Sequence, residues 1–137
     1  MKKMKISLGI AASLFVGSVM SDVTIDGTLG GVAGTRVTES ADFTYDISQG
    51  YGSLQGNNLF HSFEEFSVAE GDSANFSANA GVSINHIIGR VTGGAVSTIE
   101  GSVSSSIDGA SFWFINPAGI VIGSDANLDF SGAINLS

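Results

Sequence analysis

Two histidines, two adjacent glutamates and a scatter of aspartates are the residues of this 137-residue chain that could do acid–base or metal chemistry. Glu64 and Glu65 are sequence neighbours. An acid and a base must converge on one bond, whereas neighbours on a strand point to opposite faces and on a helix diverge by about 100°. A solvated charge pair is the plain reading. His61 and His86 could each be a base or a metal ligand, but no cysteine accompanies them and neither HxxH nor HExxH spacing occurs. Structural or exposed histidines are expected. Asp26, Asp108, Asp125 and Asp129 offer the hard oxygen ligands that calcium takes, yet there is neither an EF-hand loop nor a tandem GGxGxD repeat. Serines are plentiful and none lies in a GxSxG elbow. No catalytic residue, metal site or cofactor is therefore expected.

The aromatic residues invite a second kind of chemistry. Phe60, Phe63, Phe66, Phe112, Trp113 and Phe114 could line a carbohydrate groove, but six large rings in a small glycine-rich chain more naturally stack in a core. If 112–114 is a strand, Trp113 points opposite to both phenylalanines, either beneath a cap or onto an exposed contact surface.

The ends of the chain set the compartment. Lys2, Lys3 and Lys5 precede an apolar stretch over 6–19, and small residues follow at Ser18 and Ser21. This is the layout of a secretory signal peptide, expected over 1–21, with Val19 and Ser21 in the small pockets and Ser18 as the alternative cleavage position. Its removal takes away every lysine and leaves Arg36 and Arg90 against thirteen carboxylates, a formal charge of −11. Nucleic acid and anionic membranes bind clustered Lys and Arg, so such a surface excludes both. An exported chain without cysteine must hold together by packing and backbone pairing alone. Residues 22–137 suffice for one domain with a core.

The elements that would position these residues are strands. From Ala126 onward, Ala126, Leu128, Phe130, Gly132, Ile134 and Leu136 alternate with polar or small residues, and Ala74, Phe76 and Ala78 alternate with Ser73, Asn75, Ser77 and Asn79. Period two with one apolar face specifies half-buried strands. The only helix candidate is "LFHSFEEF" at 59–66, for which a short bulged strand is the equal alternative. Glycines about 20–22 residues apart, as in Gly81 to Gly101 and Gly101 to Gly123, suggest stacked coils of a parallel solenoid; an antiparallel sandwich is the alternative. The single proline lies in Asn116-Pro117-Ala118-Gly119, with Asn first, Pro second and Gly fourth, the preferences of a type I turn. It therefore separates two short apolar strands, 112–115 and 120–122.

In order along the chain, "DGTLGG" at 26–31, "GNNLFHSFEEFSV" at 56–68, "IIGRVTGG" at 87–94, "IEG" at 99–101, "INPAGIVIG" at 115–123 and "ANLDFSG" at 126–132 resemble the filamentous-haemagglutinin N-terminal region, the two-partner secretion domain of large bacterial exoproteins. The resemblance covers nearly all of 22–137. It implies an all-β, right-handed parallel β-helix with an N-terminal cap, exported through the general export machinery and recognised by a dedicated outer-membrane β-barrel transporter. The product would be secreted or held at the surface of a Gram-negative-type bacterium, by way of the periplasm. The family's Asn-Pro-Asn-Gly turn falls on Asn116, Pro117, Ala118 and Gly119, with Ala118 in place of its second asparagine. Asn116, Pro117 and Gly119, with Asn57, Asn58, Phe60 and Phe63, are the expected recognition and turn residues. Family members run well beyond this length, so an N-terminal fragment or a short paralogue is expected. A secretion-targeting domain of an adhesin-like exoprotein is the reading; a polysaccharide-cleaving β-helix enzyme and a passive carbohydrate-binding adhesin are the alternatives.

Overall fold

The computed structural model describes residues 20–137, so the expected signal peptide lies outside the described residues except for its last two positions. Twelve short strands follow one another: β1 (Asp22–Ile25), β2 (Thr44–Ile47), β3 (Ser53–Gln55), β4 (Asn58–Ser67), β5 (Ser73–Phe76), β6 (His86–Val91), β7 (Ser97–Ile99), β8 (Ser102–Ser105), β9 (Ser111–Ile115), β10 (Ile120–Ile122), β11 (Asn127–Asp129) and β12 (Ile134–Leu136). One 3₁₀ turn, Gln49–Tyr51, is the only helical element described.

The strands form three sheets that wind as a parallel β-solenoid of roughly three turns. The first sheet runs β1-β4-β6-β9-β12, the second β11-β8-β5-β2 and the third β10-β7. From β4 to β12 in the first sheet, and throughout the other two, every pairing is parallel. The antiparallel pairings are confined to the N-terminal edge, where β1 and β3 both lie against β4. They cover the backbone groups that the first coil would otherwise expose, which is how a cap protects a sheet edge.

Alternation puts the right side chains inside. Leu59, Ile87, Phe112 and Ile134 share one register column, and Phe63 and Val91 share another. All but Ile134 are buried. Ala74 and Val103 do the same in the second sheet. The 59–66 stretch is strand, not helix, and carries the bulge foreseen as its alternative. Opposite Thr24 and Ile25, β4 presents Glu65 and Phe63, so Glu64 is the extra residue. A bulge resets the alternation. Phe63 and Phe66, three apart, both point inward for that reason, and their rings meet edge to face at 5.0 Å. From there the core is a column of rings: Phe66 against Phe114 at 4.9 Å, Phe76 against Phe112 at 5.3 Å, and Phe112 stacked on Phe130 at 4.2 Å.

One expectation is corrected. Coils of 20–22 residues are too short for most of the molecule: Ser73 pairs with Ser102, Asn58 with His86 and His86 with Ser111, intervals of 29, 28 and 25, and only Phe112 to Ile134 falls to 22. The glycines are not stacked on one another as the spacing suggested. Gly89 faces Phe114 in register, where the missing side chain makes room for the Phe63 and Phe114 rings. Coil length is set by the connections, which vary, while the inward pattern of the strands does not.

Candidate functional site

The Asn-Pro turn joins β9 to β10 and so turns a corner from the first sheet to the third. Its backbone closes through the Gly119 N–H donating to the Asn116 carbonyl at 2.9 Å, and the Ala118 N–H donates to the Asn116 side-chain oxygen at 2.9 Å. That second bond is the Asx arrangement that makes asparagine a turn starter. The rest of the Asn116 side chain is spent on the preceding coil. Its amide donates to the Ala95 carbonyl at 3.0 Å and to the Ser97 hydroxyl at 2.9 Å, and both Asn116 and Ser97 are buried. Its backbone N–H reaches the other way, to the Ser137 carbonyl at 2.9 Å. One residue thus shapes its turn and ties three successive coils together. Pro117 and Ala118 are exposed at the tip.

The remaining expected residues do not join this turn. Asn57 sits in the two-residue connection from β3 to β4, where Gly56 has φ 61, the positive value that the first central position of such a hairpin takes. The Asn57 carbonyl accepts from the Asn85 N–H at 2.7 Å, fixing the start of β6. Asn58 and Phe60 lie half-buried on the outer face of the first sheet, and Phe63 is fully buried in the core.

Sequence reasoning missed a polar cluster that ties the cap to the coils. Asp26, just after β1, accepts from the Ser62 hydroxyl at 2.6 Å, the Thr92 hydroxyl at 2.7 Å, and the Thr28 backbone N–H and hydroxyl at 2.9 and 2.8 Å. Arg90 donates to the hydroxyls of Ser62 at 2.8 Å and Thr28 at 3.0 Å. Partial burial acts to raise the Asp26 pKa, but the four hydrogen bonds outweigh it and hold the carboxyl at about 2. Three elements distant in sequence meet here, so the signal available was only the run of hydrogen-bonding residues in "DGT" and "GRVT".

The two histidines part company. His86 is exposed, whereas His61 lies at 1% exposure between Phe63 and Phe76. Burial lowers its pKa to about 4; the Tyr51 backbone approaches and opposes that shift, but neither ring nitrogen completes a hydrogen bond. Glu64 is exposed and Glu65 half-buried, and the pKa of Glu65 is raised chiefly by the neighbouring Asp22. Asp108, Asp125 and Asp129 are exposed, and no three acidic, histidine or cysteine side chains converge among the described residues.

What the arrangement can do chemically is to hold a turn and present surfaces. A family model described as the TPS secretion domain matches residues 21–135. No curated protein and no solved structure is matched.

Proposed function

Because this chain belongs to the family of TPS secretion domains, we propose that it is the N-terminal targeting domain of an exported, adhesin-like exoprotein. A cognate outer-membrane β-barrel transporter reads it, and once outside it seeds the β-solenoid of whatever follows. The family is one of targeting domains and not a catalytic one. The two-partner route brings a transporter partner and a secreted product with it.

The observation that carries the seeding role is the last rung. Among the described residues β10, β11 and β12 each pair on one side only, so their outer edges offer unpaired backbone donors and acceptors. Ile122, Ile134 and Leu136 stay exposed on that rung, continuing columns that are buried one coil earlier as Ile99, Phe112 and Phe114. A strand added there would gain both main-chain pairing and apolar burial, the two terms of β-augmentation.

The test fuses residues 1–137 to a reporter cargo in cells with and without the transporter. Extracellular reporter is expected only when both are present, and removing 22–137 while keeping 1–21 should strand the reporter in the periplasm. Release without the transporter, or undiminished release without 22–137, would defeat the reading. Residues 1–21 alone should send a reporter to the periplasm.

A further inference from the structure

The chain enters the fold at a sharp boundary. Met20 is 83% exposed, whereas Ser21, the next residue, is half-buried and engaged on both sides of its hydroxyl. That hydroxyl donates to the Asp72 carboxylate at 2.6 Å, 51 residues away, and accepts from the Ala69 N–H at 2.8 Å. Both partners belong to the corner that joins β4 to β5, the corner whose carbonyls crowd Gly101 of the next coil. Asp72 is only 6% exposed, and negative charge is concentrated beside it: burial first, then the Glu39 and Asp72 carboxylates, raise the pKa of the buried Tyr45. A hydrogen bond to a carboxylate in such surroundings is among the stronger kinds. The adjoining backbone is committed as well. Val23 and Ile25 bond to residues 35–37, so by alternation Asp22 and Thr24 turn their N–H and carbonyl groups to β4, opposite Ser67 and Glu65.

We infer that Ser21 belongs to the mature domain, and that the leader is removed by cutting the Ser18–Val19 bond rather than the bond after Ser21. The inference rests on the reading of the N-terminal segment as a cleaved leader. By sequence the two bonds are matched: Val16 and Ser18 precede one, Val19 and Ser21 the other, and each pair suits the small pockets of a leader peptidase. The fold separates them. A cut after Ser21 takes away the hydroxyl that Asp72 and the Ala69 N–H use, and it turns the Asp22 amide, a ladder group, into a terminal ammonium at the first rung of β1. A cut after Ser18 keeps the hydroxyl and leaves Val19, Met20 and Ser21 ahead of the strand, so the terminal charge stays outside the ladder. The family match likewise begins at residue 21. The step is a hydrolysis by the peptidase of the export machinery. One water is consumed, the C–N bond between Ser18 and Val19 breaks, the hydroxyl joins the Ser18 carbonyl and the proton goes to the Val19 amine. Ser21 then staples the first strand of the cap to the corner between two coils.

The test expresses the full chain and reads the first residue of its processed form, periplasmic and secreted together, by N-terminal sequencing and intact mass. The processed chain should begin at Val19. Ser18→Tyr, which offers a large ring to the peptidase's small pocket, should abolish that end, and Ser21→Tyr should leave it in place; the reverse pattern overturns the inference. Ser21→Thr and Ser21→Val are close in shape and differ in the hydroxyl. The processed Ser21→Thr chain should unfold with the parent and the processed Ser21→Val chain several degrees lower. Equal unfolding temperatures of the two would show that the Ser21 hydroxyl does nothing for the mature domain, which also overturns the inference. A processed chain that begins at Asp22, or at any residue other than Val19, overturns it while the leader reading stands. An exported chain that still begins at Met1 would instead remove the leader reading beneath.

Discussion

The Asn116 amide donates to the Ser97 hydroxyl at 2.9 Å across nineteen residues of sequence, with both side chains buried between adjacent coils. The same asparagine accepts from the Ala118 N–H within its own turn. Substitution can separate these two roles. Asn116→Asp keeps the acceptor for Ala118 but turns the donors toward Ala95 and Ser97 into an acceptor, so the exported chain should lose about 1–3 kcal/mol in urea unfolding. Asn116→Ile loses both roles and joins two apolar strands into one run, and should lower secreted relative to periplasmic protein further. Ala118→Asn, at an exposed position, should change neither measurement. Equal stability of Asn116→Asp and the parent would show that the link to the preceding coil contributes nothing.

Gly101 tests how tightly the coils approach at a corner. A Cβ there would lie 2.3 Å from the carbonyl oxygens of both Ala69 and Asp72, which belong to the backbone of the preceding coil and cannot swing away. Gly101→Ala should therefore cost about 1–3 kcal/mol by forcing the coils apart. A thermal unfolding curve that coincides with the parent's would contradict this.

His61 makes the fold acid-sensitive in a definite window. The unfolded imidazole takes up a proton below about pH 6.5, its ordinary value, while the folded one resists to about 4. Stability is thus full above 6.5 and declines as the pH falls toward 4, by up to about 3 kcal/mol. His61→Leu should flatten the chemical-unfolding free energy across that window. A slope retained in His61→Leu would place the titration on another group.

Asp26 should act lower on the scale. Its carboxyl is depressed from 3.8 to about 2, so the stability it contributes is present above 3.8 and lost as the pH falls through 2. Asp26→Asn replaces an acceptor by a donor against the Ser62 and Thr92 hydroxyls. Because the group is largely solvated, the expected cost at pH 7 is about 1–2 kcal/mol. The slope between 6.5 and 4 should be unaltered in this variant, and its disappearance there would merge the two effects.

The sequence by itself determined what is local. Alternation marks β5 within 73–79 and β11 and β12 within 126–136, although it runs unbroken through the corner at 130–133 that sends β11 and β12 to different sheets; the scarcity of helical periodicity leaves only one 3₁₀ turn among the described residues, and Asn116-Pro117-Ala118-Gly119 marks the break between β9 and β10. Each rests on a residue's own backbone preference or on the two-residue period of a strand, which holds wherever no bulge interrupts it. Trp113 facing outward follows from the same period.

Only the tertiary structure decided which strand lies on which. Parallel pairing is made between residues more than twenty apart, and loops of different length close at nearly the same free energy, so coil length leaves little trace in composition. The 20–22 residue interval read from the glycines failed for that reason. The bulge at Glu64 turned Phe63 and Phe66 to the same side, and stacking placed His61 between two rings, Ser97 under Asn116, and Asp26 beside Ser62 and Thr92. The apolar outer row of Phe60, Ile88 and Trp113 exists only because three strands of unequal spacing come into register.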